Sequence, residues 1–306
     1  MPTPAIGTPV AGTTAASVLS SIRDMIPDQV TDPSQDGTAF TLASLLRWMN
    51  DGLRIMATTA PIIQDWYALQ STQGMDLYVL PSTTLSVEQL WYDNFVCVRA
   101  PEYSNLGLTK ITSRSYFFGP HSIHQTPRLA LYPACDRTGA VTTLATSIDA
   151  AAVVISLTST AGFRPYGYLD IDGEIIAYRT VTTAPVGLAA ILRGQAGTTA
   201  VSHLSGAVAT ERNVMMKVSR LPTPLTSATD LVEIPVGLTP LIEVYVLSKV
   251  REAEQDHGTA SRLRQEFTEA MRALETKNPV PGLRQGLQVR SATDGPVLWY
   301  GRVVVP

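Results

Sequence analysis

The chain has 306 residues, 45% of them hydrophobic, enough to fill one large core or two ordinary ones. Charged residues make up only 16% against roughly 25% in ordinary soluble proteins, as expected of a surface partly covered by neighbours, and a net charge of −3 leaves no basic footprint for gripping nucleic-acid phosphates. The two cysteines, Cys97 and Cys135, lack CxxC spacing and point to neither a disulfide framework nor a structural zinc site, in keeping with folding in a reducing cytoplasm.

Residues 1 to 12 are rich in Pro, Gly and Thr and read as an extended arm. No basic segment followed by an apolar run marks a secretion signal, and no stretch of about 18 apolar residues marks a membrane span. Val18, Leu19, Ile22, Met25 and Ile26 then share one helical face, with Thr14 or Ser17 as N-cap and Pro27 as stop. After the Asp32–Gly37 loop, a second helix is predicted from about Thr41 to Thr58, with the stripe Leu42, Leu45, Leu46, Met49, Leu53 and Met56. Short strands follow at 65–70, 77–80, 87–92 and 96–99, a small antiparallel sheet.

From Val141 to Arg212 the composition shifts to Ala, Thr, Val and Gly, and charge nearly vanishes before Asp170. Apolar and polar residues alternate around Asp172-Gly173, a strong hairpin signal because both central residues of a type I′ turn need positive φ. Residues 215–219 return to the sheet. A long helix is predicted from about Thr239 to Gln255, broken by His257-Gly258, and a last one from about Ala260 to Glu275 completes an αα-hairpin. On that last helix Leu263, Phe267, Ala270, Met271 and Leu274 line one face, while Arg262 with Glu266 and Glu269 with Arg272 are spaced to pair. The expected fold is α+β: a helical core divided between residues 1–140, which also hold the small sheet, and 213–277, an inserted all-β domain at 141–212, and an extended C-terminal arm at 278–306.

Few residues suggest chemistry. Asp170, Asp172 and Glu174 alternate and on a regular strand would share a face fit for a cation, but a strand end at Asp-Gly collects acids anyway and no complete calcium loop follows. His121 and His124 stand three apart in a Gly-Pro loop without an HExxH helix or a partner cysteine, as ordinary loop histidines do. His203 reads as a structural hydrogen-bonding residue. Arg193-Gly194-Gln-Ala-Gly197 lacks the Gly-Lys-Ser/Thr ending of a phosphate loop, and no nucleophile elbow, kinase set or dinucleotide fingerprint occurs. The expectation is no catalytic residue, no metal and no cofactor. The aromatic pair Trp299 and Tyr300, within the apolar run from Val297 to Val305, is the best candidate for docking to a partner.

Two stretches carry a family resemblance. Gly173-Glu-Ile-Ile-Ala-Tyr178 followed by Arg193-Gly-Gln-Ala-Gly-Thr-Thr-Ala-Val-Ser-His203 is similar to a module of tailed-bacteriophage tail and adaptor proteins, "G-E-hydrophobic-hydrophobic-x-Y" then "R-G-x-x-G-T-T-A-x-x-H-x-x-G". The stretch 36–55, with Trp48, Asn50 and Arg54 in its pattern, and the stretches 233–256 and 260–267 resemble the helices of tailed-phage head-to-tail adaptors. The matches cover about half the chain. The resemblance implies a structural virion protein, not an enzyme: a ring, of twelve copies in that family, joining the portal protein ring to a tail nozzle or tail tube protein at the head-tail interface. Double-stranded DNA would pass through the channel without sequence-specific binding, and no membrane would be involved. The arm would dock to the portal through Leu298, Trp299, Tyr300, Val303, Val304 and Val305. The β insert, with its turn residues Asp172, Gly173, Arg193, Gly194, Gly197 and His203, would face outward and hold tail fibres. The alternative is another tail structural protein that mounts a fibre or receptor-binding element through that insert.

Overall fold

Four helices and several small sheets make up the computed structural model, which describes residues 13–25, 40–100, 114–120 and 126–277. This mixed composition is compatible with the expected α+β class. The described residues fall into two compact units, one from Gln64 to Val218 and one formed by the residues on either side of it.

In the flanking unit, helix α1 (Ala15–Asp24) begins where the Thr14 hydroxyl accepts from the Ser17 amide at 3.3 Å, and it buries Val18, Leu19 and Ile22. Met25, expected on the buried face, is the C-cap and stays exposed because the helix ends before the stripe completes another turn. Helix α2 (Leu42–Thr59) is capped in the same way by Thr41, and it buries Leu45, Leu46, Met49, Leu53 and Met56. Gly52 permits the close approach of α3 (Thr239–Ala253): a Cβ at this position would lie 2.8 Å from Tyr245 Cδ1.

Helix α4 (His257–Lys277) starts earlier than predicted. The break falls at 254–256, where Gln255 takes φ 64 and the Asp256 carboxylate accepts from the Thr259 amide at 3.1 Å. His257 and Gly258 therefore stand in the first turn of α4, because an N-capping aspartate outweighs the helix-breaking tendency of a glycine two residues later. Tyr245 and Phe267 pack α3 on α4 with ring centroids 5.0 Å apart. Arg262 and Glu266 meet at 4.0 Å, whereas Glu269 accepts from Gln265 Nε2 instead of the expected Arg272.

The other unit is built from strands. Its first seven are β1 (Gln64–Leu69), β2 (Leu77–Val79), β3 (Thr84–Tyr92), β4 (Phe95–Val96), β5 (Val98–Arg99), β6 (Ser115–Pro120) and β7 (Pro127–Tyr132). Next come β8 (Val141–Thr143), β9 (Val154–Ser156), β10 (Gly167–Ile171), β11 (Glu174–Tyr178), β12 (Thr180–Thr183), β13 (Val186–Ala189), β14 (Leu192–Gln195), β15 (Val208–Glu211) and β16 (Val214–Arg220). The single small sheet expected early in the chain is two sheets, β1-β16-β3-β4 and β2-β7-β6-β5, and one pair, β5 with β6, is parallel. Val87, Leu90, Tyr116, Leu129, Val214 and Met216 from both sheets fill one core, which also holds the free thiols of Cys97 and Cys135.

Residues 141–211 build a five-stranded sheet, β14-β11-β10-β15-β8, and a three-stranded one, β12-β13-β9, around a hydrophobic cluster that includes Leu144, Ile155, Leu169, Ile176 and Leu188. Alternation along β10, with Leu169 and Ile171 buried and Asp170 between them, is the period of a half-buried strand.

Candidate functional site

The Asp172-Gly173 turn positions the first cluster. Both residues take positive φ, 49° and 88°, the two-residue hairpin geometry that the sequence predicts, and the Gly173 amide donates to Asp170 Oδ1 at 2.9 Å. The reversal pairs Ile171 with Glu174 and Asp170 with Ile175. Directly paired residues share a face, so Glu174 lies on the opposite face from Asp170, and the three acids do not form the single cation-binding face of a regular strand.

Glu174, 2% exposed, accepts five hydrogen bonds. Arg193 grips it with Nε and Nη2, both at 2.7 Å. The amides of Gly194 and Val201 donate at 3.0 and 3.1 Å, and His203 Nε2 stands at 2.9 Å. The other ring nitrogen of His203, Nδ1, lies 3.0 Å from Asp172 Oδ2, so the buried imidazole ties the turn to the hub. Burial alone raises the pKa of the Glu174 carboxyl. The bonds from Arg193, His203, Val201 and Gly194 outweigh that and hold it at about 2.

Positive φ at Gly194, Ala196 and Gly197 curls the chain over the carboxylate. Thr198 Oγ1 closes the curl, donating to the Gln195 carbonyl at 2.7 Å and accepting from the Ile175 amide at 3.0 Å. Arg193 also donates to the carbonyls of Asp149 and Val201. The sequence-predicted turn residues Asp172, Gly173, Arg193, Gly194, Gly197 and His203 are thus all in one place, and His203 has a hydrogen-bonding environment.

Sequence reasoning missed a second cluster. Glu211, at the end of β15, accepts from Arg137 Nη1 and Nη2 at 2.6 and 2.8 Å, from the Ala140 amide and from the Tyr178 hydroxyl. Arg137 also holds Asp93, which Arg164 reaches from the other side at 3.2 Å. Burial, then Glu211, push the Tyr178 hydroxyl far above its ordinary pKa. Beside this cluster Arg212 holds Asp170 Oδ2 through Nε at 3.0 Å and Nη2 at 2.6 Å. The only hint in the sequence is the Glu211-Arg212 pair at the end of a nearly uncharged β stretch.

Trp48 is half-buried, with its ring centroid 5.8 Å from that of Phe40. Asn50 clamps the backbone of Leu225, donating to its carbonyl at 2.9 Å and accepting from its amide at 2.8 Å. The Arg54 side chain is exposed. Leu298, Trp299, Tyr300, Val303, Val304 and Val305 lie outside the described residues, as do His121 and His124.

In the first cluster Arg193 and His203 meet Glu174, and in the second Arg137 meets Asp93 and Glu211, so these charged groups are paired with one another. Among the described residues no group of three or more His, Cys, Asp or Glu side chains is placed to hold a metal ion. No described helix is long and apolar enough to cross a membrane. No protein-family model matches the chain, and no curated protein matches it in sequence.

Proposed function

We propose that the protein is a structural component of a tailed-phage virion, a head-to-tail adaptor whose copies form a ring between the portal and the tail and continue the DNA channel. What carries this reading is the use of the motif residues. Asn50 pins α2 to the Leu225 segment, and Glu174, Arg193 and His203 knit a turn together, so these motif residues serve as architecture. The low charged fraction supports it too, since a ring subunit buries faces on two neighbours.

On this reading the helices α1 to α4 form the ring wall, residues 141–212 face outward toward tail fibres, and residues 278–306 dock on the portal. A nozzle or tube protein follows on the tail side. Electron microscopy of portal rings incubated with the purified protein tests it: an added ring of density coaxial with the portal is the expected image, and bare portals at saturating protein would refute it.

The fibre-mounting alternative has one specific observation in its favour. Val153 and Leu204, in loops of the 141–211 region, and Val208, in β15, are exposed and apolar, as a mounting surface needs. Stable trimers of the protein alone, with no portal binding, would favour it.

A further inference from the structure

His203 stands between two carboxylates of one hairpin, Asp172 within the turn and Glu174 directly after it. Its Nδ1 lies 3.0 Å from Asp172 Oδ2 and its Nε2 lies 2.9 Å from Glu174 Oε2. An ionised carboxylate only accepts hydrogen bonds, and a neutral imidazole has one N–H and one lone pair. With a neutral ring, one of these two contacts would set lone pair against lone pair at hydrogen-bond distance. The imidazolium, with a donor on each nitrogen, satisfies both. An imidazole is a stronger base than a carboxylate, so a proton shared between them resides on the ring.

The charges around the ring lead to the same state. Arg193 holds Glu174 and Arg212 holds Asp170, which leaves His203 as the cation facing Asp172. On its other side His203 is bridged to Ile148 by two backbone hydrogen bonds, each of 2.9 Å. The neighbouring Asp149 is engaged elsewhere: its carboxylate accepts from the Ala151 amide at 3.0 Å, and its carbonyl accepts from Arg193 Nη1. The two contacts of the ring differ in their access to water. The Glu174 side chain is 1% exposed and takes four further donors, whereas that of Asp172 is 60% exposed. Asp172 can exchange the ring for solvent, and Glu174 cannot.

We propose that His203 is a proton-operated clasp: its imidazolium ties the Asp172-Gly173 turn to the 193–203 stretch, and loss of the Nδ1 proton opens the Asp172 contact while the Glu174 contact stays closed. The proton passes to solvent on the exposed Asp172 side as the pH rises, the neutral ring keeps its N–H on Nε2, and the Asp172 carboxylate turns out to water. The clasp is built from the turn's own residues and does not depend on the adaptor reading.

The test is NMR of the ¹⁵N-labelled full chain titrated from about pH 5 to about pH 9, following the ring nitrogens of His203 and the backbone amides of the turn. The chain has four histidines, and the His203 signal is the one that survives glutamine substitution of each of the other three in turn, so the site itself stays intact. The expected result is a ring protonated on both nitrogens at the acidic end that gives up the Nδ1 proton as the pH rises. The Gly173 amide should shift with the same midpoint, and the Val201 amide, bound to Glu174, should shift less. Asp172→Asn supplies an amide N–H that can donate to a neutral Nδ1, and asparagine suits the positive φ of 49° at this position, so the variant keeps the turn. It should weaken proton binding by the ring about threefold or more and move the midpoint to lower pH. A ring that holds one protonation state over the whole range, or that loses the Nε2 proton first, would overturn the proposal. So would a Gly173 amide that does not follow the titration, or an Asp172→Asn midpoint equal to that of the wild type.

Discussion

Glu174 shows how one residue organises a region. A carboxylate buried with five donors is costly to desolvate, and it is stable only because all of them converge on it. Removing its charge while keeping its shape leaves Arg193 buried and unpaired, so Glu174→Gln is expected to lose about 3–5 kcal/mol of stability, read from urea unfolding. The pH dependence has a definite sign. With its pKa held at about 2, below the ordinary 4.5, the carboxyl contributes fully above pH 4.5 and loses that contribution as pH falls from 4.5 toward 2. The loss is on the order of 3 kcal/mol. Unfolding midpoints measured between pH 6 and pH 2.5, on the order of one carboxylate titration in width, should fall more steeply in the wild type than in Glu174→Gln. The Asp172-Gly173 turn and the Arg193–His203 stretch were legible in the sequence as turn chemistry, whereas Glu174 as the carboxylate on which they converge was not, because its partners lie 19 and 29 residues away. Nor was the Arg137, Asp93 and Glu211 cluster, since its partners are brought together only by the sheets and no local pattern marks them.

At the scale of elements, capping and turn chemistry decided the boundaries. Thr14, Thr41 and the Asp172-Gly173 turn act as their residue types predict, whereas the α3 to α4 break lies before His257 because Asp256 caps α4. The parallel pairing of β5 with β6 is not legible in the sequence, because a strand of two residues such as β5 carries too little periodicity to show its direction. Asn50 links an element to a distant segment through two hydrogen bonds, and its alanine variant leaves the Leu225 amide and carbonyl without those partners. Asn50→Ala is expected to lower stability by about 2 kcal/mol in thermal or chemical unfolding. Arg54, in the same sequence pattern, is exposed, and Arg54→Ala should change stability by no more than about 0.5 kcal/mol. If the two variants cost the same, Asn50 is not a clamp.

For the whole molecule, the central proposal is a subunit whose described part is scaffold and whose attachment to the portal resides in residues 278–306. The apolar character of that segment was legible from Trp299, Tyr300 and the three valines, but what it docks to is a property of a partner and cannot be written in one chain's periodicity. The most direct measurement is native mass spectrometry of portal rings mixed with the full chain and with a form ending at Lys277. A full ring of subunits added to the portal by the full chain, and none by the shortened but folded form, is the expected result. No association by the full chain, or equal association by both forms, would contradict it.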